Sequence, residues 1–514
     1  MDGKCAICYV FQTVIALRRK YPIIFWGLLV NVAFGGEMKT NGTSGFLDLT
    51  RRAALPTACA WLGVLGLVAA VWPQAASALT LEEAVKLAVD SHPQILAAKA
   101  GQAIAEQEIF EARARYFPTI DTRVGIGFDQ VNNQTTALRA TRGVSGGQHV
   151  TGLHEDASVS VSQMLFDGLE TPNLVEAAKA RFDTRGHQVT DAEEAIALRA
   201  IEAFFEVQRS REVLALAEEN VETHLEVLAD VTLRAETGGG NQADVVQARS
   251  RLALARTRVV EQHGELRDAE ADFLEAVGTL PDDLVVGDPP VAAIPDNIYD
   301  FIVQSYASNP AILAAGSAII AREEDAEAAE GVFVPRFDLE LNAAAKKNAD
   351  GIRRSSRSAT ALVVMRFNLY SGGRDSARLR GAQELVSQTI LQERETRRLV
   401  EEQARLDWSR LETAQGRLPN LEERVINAAQ VVSAYRQQFE LGQRTLLDVL
   451  DTENELFQSR SDLVEGEYDV HFAHWAILQT MGDALNVLGI VTESPAYVDK
   501  LTEPPVLLLL APLE

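Results

Sequence analysis

The sequence has few aromatic residues, few cysteines and a shortage of basic charge. Phe, Trp and Tyr make up 6% of the 514 residues, which leaves little of the bulky material that a thick globular core requires. All three cysteines, Cys5, Cys8 and Cys59, precede residue 60, and Cys5-x-x-Cys8 has no second pair to complete a metal or redox site. The formal net charge of −25 and the absence of a basic stripe argue against nucleic-acid binding.

The sequence also lacks the motifs of common enzymes. It contains no P-loop and no nucleophile motif, and Gly125-x-Gly127 is not followed by the helix of a dinucleotide site. His471 and His474 share one helix face but have no third ligand, so packing or exposure explains them better than a metal. We therefore expect no catalysis and no cofactor.

The first 78 residues have the pattern of an export signal that follows an extension. Arg51-Arg52 precede the apolar run Ala58–Val71, which ends in Ala76-Ser-Ala78. A basic region, a short apolar segment and an Ala-x-Ala end are typical of a secretory signal that is cleaved after that tripeptide. Translation from Met38 is an alternative to translation from Met1. A transmembrane anchor at residues 21–34 is a further alternative.

Two stretches of the remaining chain match each other. His92-Pro-Gln-Ile-Leu-Ala-Ala98 matches Asn309-Pro-Ala-Ile-Leu-Ala-Ala315 at a shift of 217 residues. Further along, Phe166-Asp-Gly168 matches Tyr370-Ser-Gly372 at a shift of 204, which also places Asp244 on Asp448. One insertion of 13 residues in the first copy accounts for the difference between the shifts. The sequence therefore predicts an internal duplication.

The duplication divides the chain into four parts. The extension and signal peptide occupy residues 1–78, and the first copy occupies residues 79–290. The second copy occupies residues 291–490, and a tail follows at residues 491–514. Each copy is predicted to contain an opening helix, a β-hairpin, a long helix and a shorter return helix. The opening helices are placed at residues 81–116 and 297–334, and the β-hairpins at residues 119–166 and 336–370.

The spacing of glycines predicts the two long helices. Gly168 and Gly238 are 70 residues apart, and so are Gly372 and Gly442. At a rise of ~1.5 Å per residue, each helix would be about 100 Å long. Apolar and small residues recur every three or four positions, as in a coiled-coil seam. Pro419 is expected to kink the second long helix.

Alternation of apolar and polar residues predicts the strands. It runs from Ile120 to Phe128 in the first copy and from Phe337 to Ala343 in the second. Period-two patterns of about ten residues suit a transmembrane strand, and they suit an ordinary half-buried hairpin as well.

Strand number decides how such a sheet could lie in a membrane. Open sheet edges cannot lie in lipid, and the four strands of one chain are too few to close a barrel. Three chains would supply twelve strands around a water-filled lumen, so closure predicts a homotrimer. The polar side chains expected to line the lumen are Asp121, Arg123, Ser158, Ser160, Asp338 and Glu340.

In order and spacing these features resemble the TolC family of outer-membrane efflux and type I secretion channels. The resemblance covers nearly all of residues 79–490. It is carried by Leu81-Glu-Glu-Ala84, His92-Pro93, Phe117-Pro-Thr-Ile120, Leu165-Phe-Asp-Gly168, Leu369-Tyr-Ser-Gly-Gly373 and Gly442-Gln-Arg-Thr-Leu-Leu-Asp-Val-Leu-Asp451.

The resemblance implies a mainly α fold with a small β part. Two tandem repeats, each a long helical hairpin plus a β-hairpin, would assemble as a trimer. Its 12-stranded outer-membrane β-barrel would continue into a periplasmic α-helical barrel. The implied partners are a periplasmic adaptor protein, an inner-membrane transporter and outer-membrane lipid.

The resemblance also implies roles for residues near the helical turns. Asp448 and Asp451 match two aspartates that form a ring at the periplasmic entrance, and three copies would place six carboxylates there. Such a ring would attract cations, could bind divalent ions, and should raise some carboxyl pKa values through like-charge crowding. Arg444 and Asp244 match members of the lock that closes the entrance. Phe439 stands where the family has a tyrosine, so one hydroxyl link is missing.

Three alternatives stay open from the sequence. The two aspartates could be ordinary acidic residues at a helix start, where acids are favoured. A periplasmic coiled-coil scaffold or adaptor without a pore would explain the helices but not the four strands. For a channel, the cargo could be small toxic molecules or an unfolded polypeptide.

Overall fold

The computed structural model describes residues 79–491, 496 and 497, apart from residues 133, 135–136, 139–141, 143–149, 286, 288–289 and 350–353. The predicted export signal and the three cysteines lie outside the described residues, and so does most of the predicted tail. The described part is mainly helical with a small β part, as the sequence predicts.

The same order of elements occurs twice along the described chain. The helices are α1 (Leu81–Ser91), α2 (Pro93–Ala114), α3 (Glu170–Glu236), α4 (Gln242–Val277), α5 (Ile298–Ser308), α6 (Pro310–Glu330), α7 (Arg374–Glu440), α8 (Leu446–Met481) and α9 (Ala484–Val487). The strands are β1 (Leu79–Thr80), β2 (Thr119–Val131), β3 (Val150–Phe166), β4 (Leu284–Val285), β5 (Arg336–Lys347) and β6 (Ser355–Arg366).

Each predicted opening helix is in fact two helices, so the expectation of single helices at 81–116 and 297–334 is wrong. The breaks fall at His92 and Asn309, whose ψ values are 128° and 123°. Pro93 and Pro310 follow them, and a proline ring clashes with a helical conformation of the preceding residue. Both residues then cap the next helix: His92 Nδ1 accepts a hydrogen bond from a backbone N–H of α2, and Asn309 Oδ1 accepts two from α6.

The two long helices are confirmed. Helices α3 and α7 each have 67 residues and end just before Gly238 and Gly442. Both glycines have positive φ, at 80° and 76°, which glycine adopts without the strain that a side chain would cause. Helix α7 continues through Pro419, and the kink expected there stays a prediction.

The four predicted strands form one antiparallel sheet with the order β2-β3-β5-β6. The strands are longer than their alternating segments, because the pairing extends into the flanking residues. Among the described residues, β2 and β6 each pair on one side only, so the sheet has two open edges. A separate parallel pair of β1 and β4 joins the start of the described chain to the segment after α4.

Apolar side chains are buried in two places among the helices. The larger cluster, in which Phe204, Phe273 and Phe301 are fully buried, draws residues from β4 and from every helix except α6. A smaller cluster lies at the end of the bundle that carries the turns and consists of Val231, Val245, Ala248, Leu446 and Leu450. The long helices are thus held by a large cluster near the middle and by a small one at the turns.

Within the described residues, no helix is both long enough and apolar enough to cross a membrane.

Gly482, the residue that follows α8, packs against the break between α5 and α6. Its φ is 72°, and a Cβ atom there would lie 2.7 Å from Pro310 Cδ and 3.0 Å from the Ser308 carbonyl oxygen. Ser308 Oγ also donates a hydrogen bond of 2.6 Å to the Met481 carbonyl oxygen, which fixes this contact. The site therefore has no room for a side chain.

We expect Gly482→Ala to destabilise the protein by at least about 2 kcal/mol, because left-handed backbone strain and a steric clash act together. A lower melting temperature of the purified protein would show this. Gly264→Ala is the matched control, since a Cβ atom there meets nothing within 4 Å in the middle of α4. That control should be neutral or stabilising by up to about 1 kcal/mol. Equal melting temperatures for the two variants would contradict the account.

Candidate functional site at the helical turns

Two turns lie side by side at one end of the helical bundle. The first joins α3 to α4 and the second joins α7 to α8. Asn241 caps α4 by accepting a hydrogen bond of 3.1 Å from the Ala243 N–H, and Thr445 caps α8. The smaller apolar cluster draws residues from α3, α4 and α8, so it packs the two turns against each other.

Asp448 is part of the cap of α8. Its Oδ2 atom accepts hydrogen bonds from the Thr445 backbone N–H and hydroxyl at 3.1 and 2.8 Å, while its own N–H donates to Thr445 Oγ1 at 3.3 Å. These reciprocal bonds form a capping box. The hydrogen bonds from Thr445, and then the charge of Arg444, lower the pKa of Asp448 below its usual value. The raised pKa expected from the crowding of six carboxylates in a trimer stays a prediction.

Asp451 lies one helical turn further along α8 and has a different partner. Arg251 of α4 reaches across and pairs with it, with 2.6 Å between Arg251 Nη2 and Asp451 Oδ1. The Asp451 side chain is 55% exposed and the Arg251 side chain 32% exposed. The two aspartates of the predicted ring are thus both engaged within the single chain.

The predicted lock between Arg444 and Asp244 is not formed within one chain. Arg444 lies back on its own hairpin, where its guanidinium stands 4.1 Å from the Tyr435 ring centroid and its Nε atom donates to Gln438 Oε1 at 3.0 Å. Asp244 is half-buried in the first turn of α4, and the described residues provide it with no ion pair. A lock between copies stays a prediction.

Phe439 packs at the turns, although its ring has no hydroxyl group. Its ring packs against the smaller apolar cluster, and the guanidinium of Arg234 lies 4.9 Å from the ring centroid. A cation over an aromatic face is a favourable contact. This contact joins α3 to α7 at a position where a tyrosine hydroxyl would otherwise be expected.

Near the turns, sequence reasoning missed three arginines of the first half that contact the second half. They are Arg234, Arg251 and Arg258, which contact Phe439, Asp451 and Phe457. Arg251 and Arg258 are seven residues apart on α4, a spacing that places them on one helix face. Their partners were not readable, because each lies about 200 residues away in the sequence.

His224 of α3 lies beside two of these arginines. Its side chain is 3% exposed, and its Nδ1 atom has no hydrogen-bond partner within the described part of the chain. Burial lowers the pKa of His224, and the charges of Arg251 and Arg258 lower it further. The imidazole is therefore held in its neutral form.

The structure places the predicted lumen residues on the sheet. Asp121 is paired with Ser160, and Arg123 with Ser158, across β2 and β3. Ser160 is in turn opposite Asn342 on β5.

Two of the predicted lumen acids on β5 are paired with arginines. Asp338 is 1% exposed and lies between Arg336 and Arg366, with 2.6 Å from Arg366 Nη1 to Asp338 Oδ2. Arg366 also pairs with Glu340. Two arginines thus compensate the buried charge of Asp338 within one chain, and its place in a lumen stays a prediction.

The two histidines of α8 are packing residues. His474 is buried, and its Nδ1 atom lies 2.7 Å from the Val470 carbonyl oxygen. The His471 ring lies 5.4 Å from the ring of Phe205. Within the described residues, no group of three His, Cys, Asp or Glu side chains is placed to hold a metal ion.

Comparison with known proteins gives concordant results. The model of the family described as outer membrane efflux protein matches residues 84–279 and 301–483. The outer membrane efflux protein BepC of Brucella suis biovar 1 is 27% identical over 412 residues, which cover 80% of this chain and 86% of BepC. The alkaline protease secretion protein AprF of Pseudomonas aeruginosa is 22% identical over 423 residues, with coverage of 80% and 86%.

The fold is also similar to solved structures. The outer-membrane channel OprN superposes with a TM-score of 0.67 at 17% sequence identity, covering 78% of this chain and 90% of OprN. At this level of identity the likeness shows the fold.

The neutral state of His224 predicts a pH dependence of stability. The folded state disfavours the proton that the unfolded chain accepts below about pH 6.5, so this contribution to stability is present above pH 6.5 and is lost as the pH falls below it. We expect His224→Gln to reduce the fall in melting temperature between pH 7 and pH 5. His263→Gln, at an exposed position on α4, is the control and should leave that fall unchanged. The same pH profile for His224→Gln and the unsubstituted protein would contradict this assignment.

Proposed function

Because the chain belongs to the outer membrane efflux protein family, we propose that it is the outer-membrane channel of a tripartite efflux or type I secretion system. In this role it conducts cargo across the periplasm and the outer membrane and performs no catalysis itself. A periplasmic adaptor protein and an inner-membrane transporter are its partners. A scaffold without a pore is not favoured, because it leaves the four-stranded sheet without a role.

The exposed apolar face of the sheet is the observation that carries this proposal. Val124, Ile126 and Phe128 point to the same face of β2 and are 83, 73 and 86% exposed. An apolar surface of this kind marks a site of contact with a membrane or a partner. Strands β2 and β5 have 13 and 12 residues, enough for the roughly 9–11 that a tilted transmembrane strand needs.

Aromatic side chains support a membrane position for the sheet. They cluster where the strands meet the helices and are partly or largely exposed: Tyr116, Phe117, Phe166, Phe333, Phe367 and Tyr370. Tyrosine and other aromatic residues are enriched at both membrane–water interfaces of transmembrane barrels. This junction would be the periplasmic face of the outer membrane, so that the helices extend into the periplasm.

The open edges of the sheet support a homotrimer. Three copies joined through β2 and β6 would form a closed barrel of twelve strands, which leaves no edge in lipid. One row of polar residues crosses all four strands in register: Asp121, Ser160, Asn342 and Thr360. This row would face a water-filled lumen, while the opposite, apolar face would contact lipid.

The internal organisation follows from the same proposal. Residues 79–290 and 291–490 would be tandem repeats, since the main helices and strands recur in the same order in both. Residues 1–78 would contain the export signal, and residues 491–514 would be a tail.

The turns would form the periplasmic entrance. Asp448 and Asp451 of three copies would surround it with six carboxylates, and such a ring attracts cations. The chain is similar to an efflux protein and to a protease secretion protein. Small molecules and polypeptides both fit the proposal as cargo.

We expect the purified protein to form cation-selective channels in planar lipid bilayers. Neutralising the entrance with Asp448→Asn and Asp451→Asn together should lower the cation-to-anion permeability ratio several-fold, because the charges at the narrowest point are removed. The control is Asp268→Asn with Asp272→Asn, two exposed acids of α4 far from the turns, which should change the ratio little. A protein that stays monomeric and never inserts into bilayers would refute the channel function.

A further inference from the structure

Given the proposed membrane position of the sheet, on which this inference depends, we propose that Arg357 and Lys347 bind the phosphate groups of lipids in the outer leaflet. The two side chains would lie at the outer limit of the face that contacts lipid. Neither belongs to the proposed entrance or to the proposed lumen.

The tips of the two hairpins are basic, although the protein as a whole is acidic. Residues 130–154 contain two arginines and no acidic residue. Residues 346–358 contain five basic residues and one acidic residue, Asp350. In a chain with a net charge of −25, positive charge is thus concentrated at the end of the sheet that lies away from the helices. Such a local excess of positive charge attracts anions.

The strand register places Arg357 on the apolar face of the sheet. Arg357 is opposite Ala345 of β5. That alanine is opposite Ala157 of β3, which is in turn opposite Val124 of β2. Residues directly opposite each other have their side chains on the same face, so Arg357 shares a face with the exposed Val124. Lys347 lies two residues beyond Ala345 on β5 and faces the same way.

Arg357 lies where this apolar face ends. The two rows nearer the helices contain no charged side chain and consist of Thr122, Val159, Ala343 and Ala359, and of Ile120, Val161, Leu341 and Ala361. Phe367, at the junction with the helices, is ten residues from Arg357. At ~3.3 Å per residue and a tilt of about 40°, that length spans about 25 Å of membrane, the height of the apolar band of a barrel. Arg357 and Lys347 would therefore be level with the outer headgroups.

The chain provides no counter-ion for Arg357. Its side chain is exposed, and within the described residues it forms no ion pair. Closure of the barrel would bring β2 of the next copy beside β6, but the residues of β2 on this face include no carboxylate: Ile120, Thr122, Val124, Ile126, Phe128 and Gln130. An arginine at the edge of hydrocarbon needs an anionic partner, and the surrounding lipid is the source that remains.

Basic side chains on the opposite face of the same strands have a partner within the chain. Lys346 is opposite Asp156 of β3. Arg123 Nε lies 4.0 Å and His154 Nε2 lies 3.3 Å from a carboxylate oxygen of Asp156. Charge is thus compensated on the lumen face and left open on the lipid face. This difference favours a lipid over a solute in the lumen as the source of the anion.

A phosphate group suits these two cations. The planar guanidinium of Arg357 can donate two parallel hydrogen bonds to phosphate oxygens. Lys347 is its diagonal neighbour across β5 and β6, within reach of the same group for a long side chain. Lys347 also pairs with Glu155 at 3.2 Å, so Arg357 carries most of the uncompensated charge. Basic clusters at a membrane boundary are typical of sites for anionic headgroups.

Binding of a diphosphorylated glycolipid, lipid A, to the purified assembly in detergent tests the proposal. We expect Arg357→Gln to weaken binding by about tenfold, because a hydrogen bond between charged groups is lost. Lys347→Gln should weaken it in the same direction and tests the site independently if Arg357→Gln fails to assemble. Native mass spectrometry counts the bound lipids and shows whether each assembly is intact.

Lys346→Gln is the matched control. It removes one positive charge from the same end of the sheet but from the opposite face, and it should leave the affinity for lipid A unchanged. Lipid A from which both phosphates have been removed should bind the unsubstituted protein no better than phosphatidylcholine does. Inorganic phosphate at the same concentration as lipid A should not compete, because the lipid chains hold the headgroup at the site.

The outcomes separate this site from the channel function. Equal affinities for the unsubstituted protein, Arg357→Gln and Lys347→Gln would overturn the site, and so would an equal loss in Lys346→Gln or competition by inorganic phosphate. Unsubstituted protein that conducts ions in bilayers but binds lipid A no more tightly than phosphatidylcholine would overturn the site and leave the channel function intact. Protein that never inserts into bilayers would overturn the function itself.

Discussion

The pairing requirement of the sheet edges is the constraint on which the architecture depends. Strands β2 and β6 each leave one row of backbone N–H and C=O groups unpaired by the described chain. In hydrocarbon each such group costs several kcal/mol, so an open sheet is not tolerated there. In water the exposed face with Val124, Ile126 and Phe128 would invite aggregation. Under the proposed function, closure between copies would resolve both problems, and the trimer, the membrane position and the lumen would follow from it.

The long helices are held by different contacts along their length. Helices α3 and α7 connect the sheet to the turns over 67 residues each. Near the middle they are held by the large apolar cluster, but at the turns only a small cluster and a few arginine contacts remain. The Arg251–Asp451 pair lies in that weakly held region.

Much of the fold could be predicted from the sequence, because local patterns determine it. Alternation marked the strands, and paired glycines marked the ends of the long helices. The breaks at His92 and Asn309 were equally readable from the prolines that follow them, and the single-helix expectation overlooked that rule. The cap formed by Asp448 could also have been read from Thr445 three residues before it.

The candidate site was harder to predict, because its contacts are distant in the sequence. Arg251 and Asp451 are 200 residues apart, and only the packing of α4 beside α8 brings them together. Likewise, Arg366 meets Asp338 only through the register of β5 and β6, so an acid expected in the lumen is largely compensated. Composition and periodicity carry no information about such pairs.

Disulfide cross-linking between neighbouring copies tests closure of the barrel most directly. Within one chain β2 and β6 are separated by two strands, or roughly 14 Å at the usual strand spacing, which is too far for a disulfide. A cysteine at Ile120 of β2 would be combined in turn with a cysteine at Ala359, Ala361 or Val363 of β6, so that the unknown register is scanned.

If β2 of one copy pairs with β6 of the next, at least one combination gives a covalent trimer on a denaturing gel after oxidation in the membrane, and single-cysteine variants give none. Monomers alone for every combination, from protein that is present in the outer membrane, would contradict closure of the barrel through these two edges.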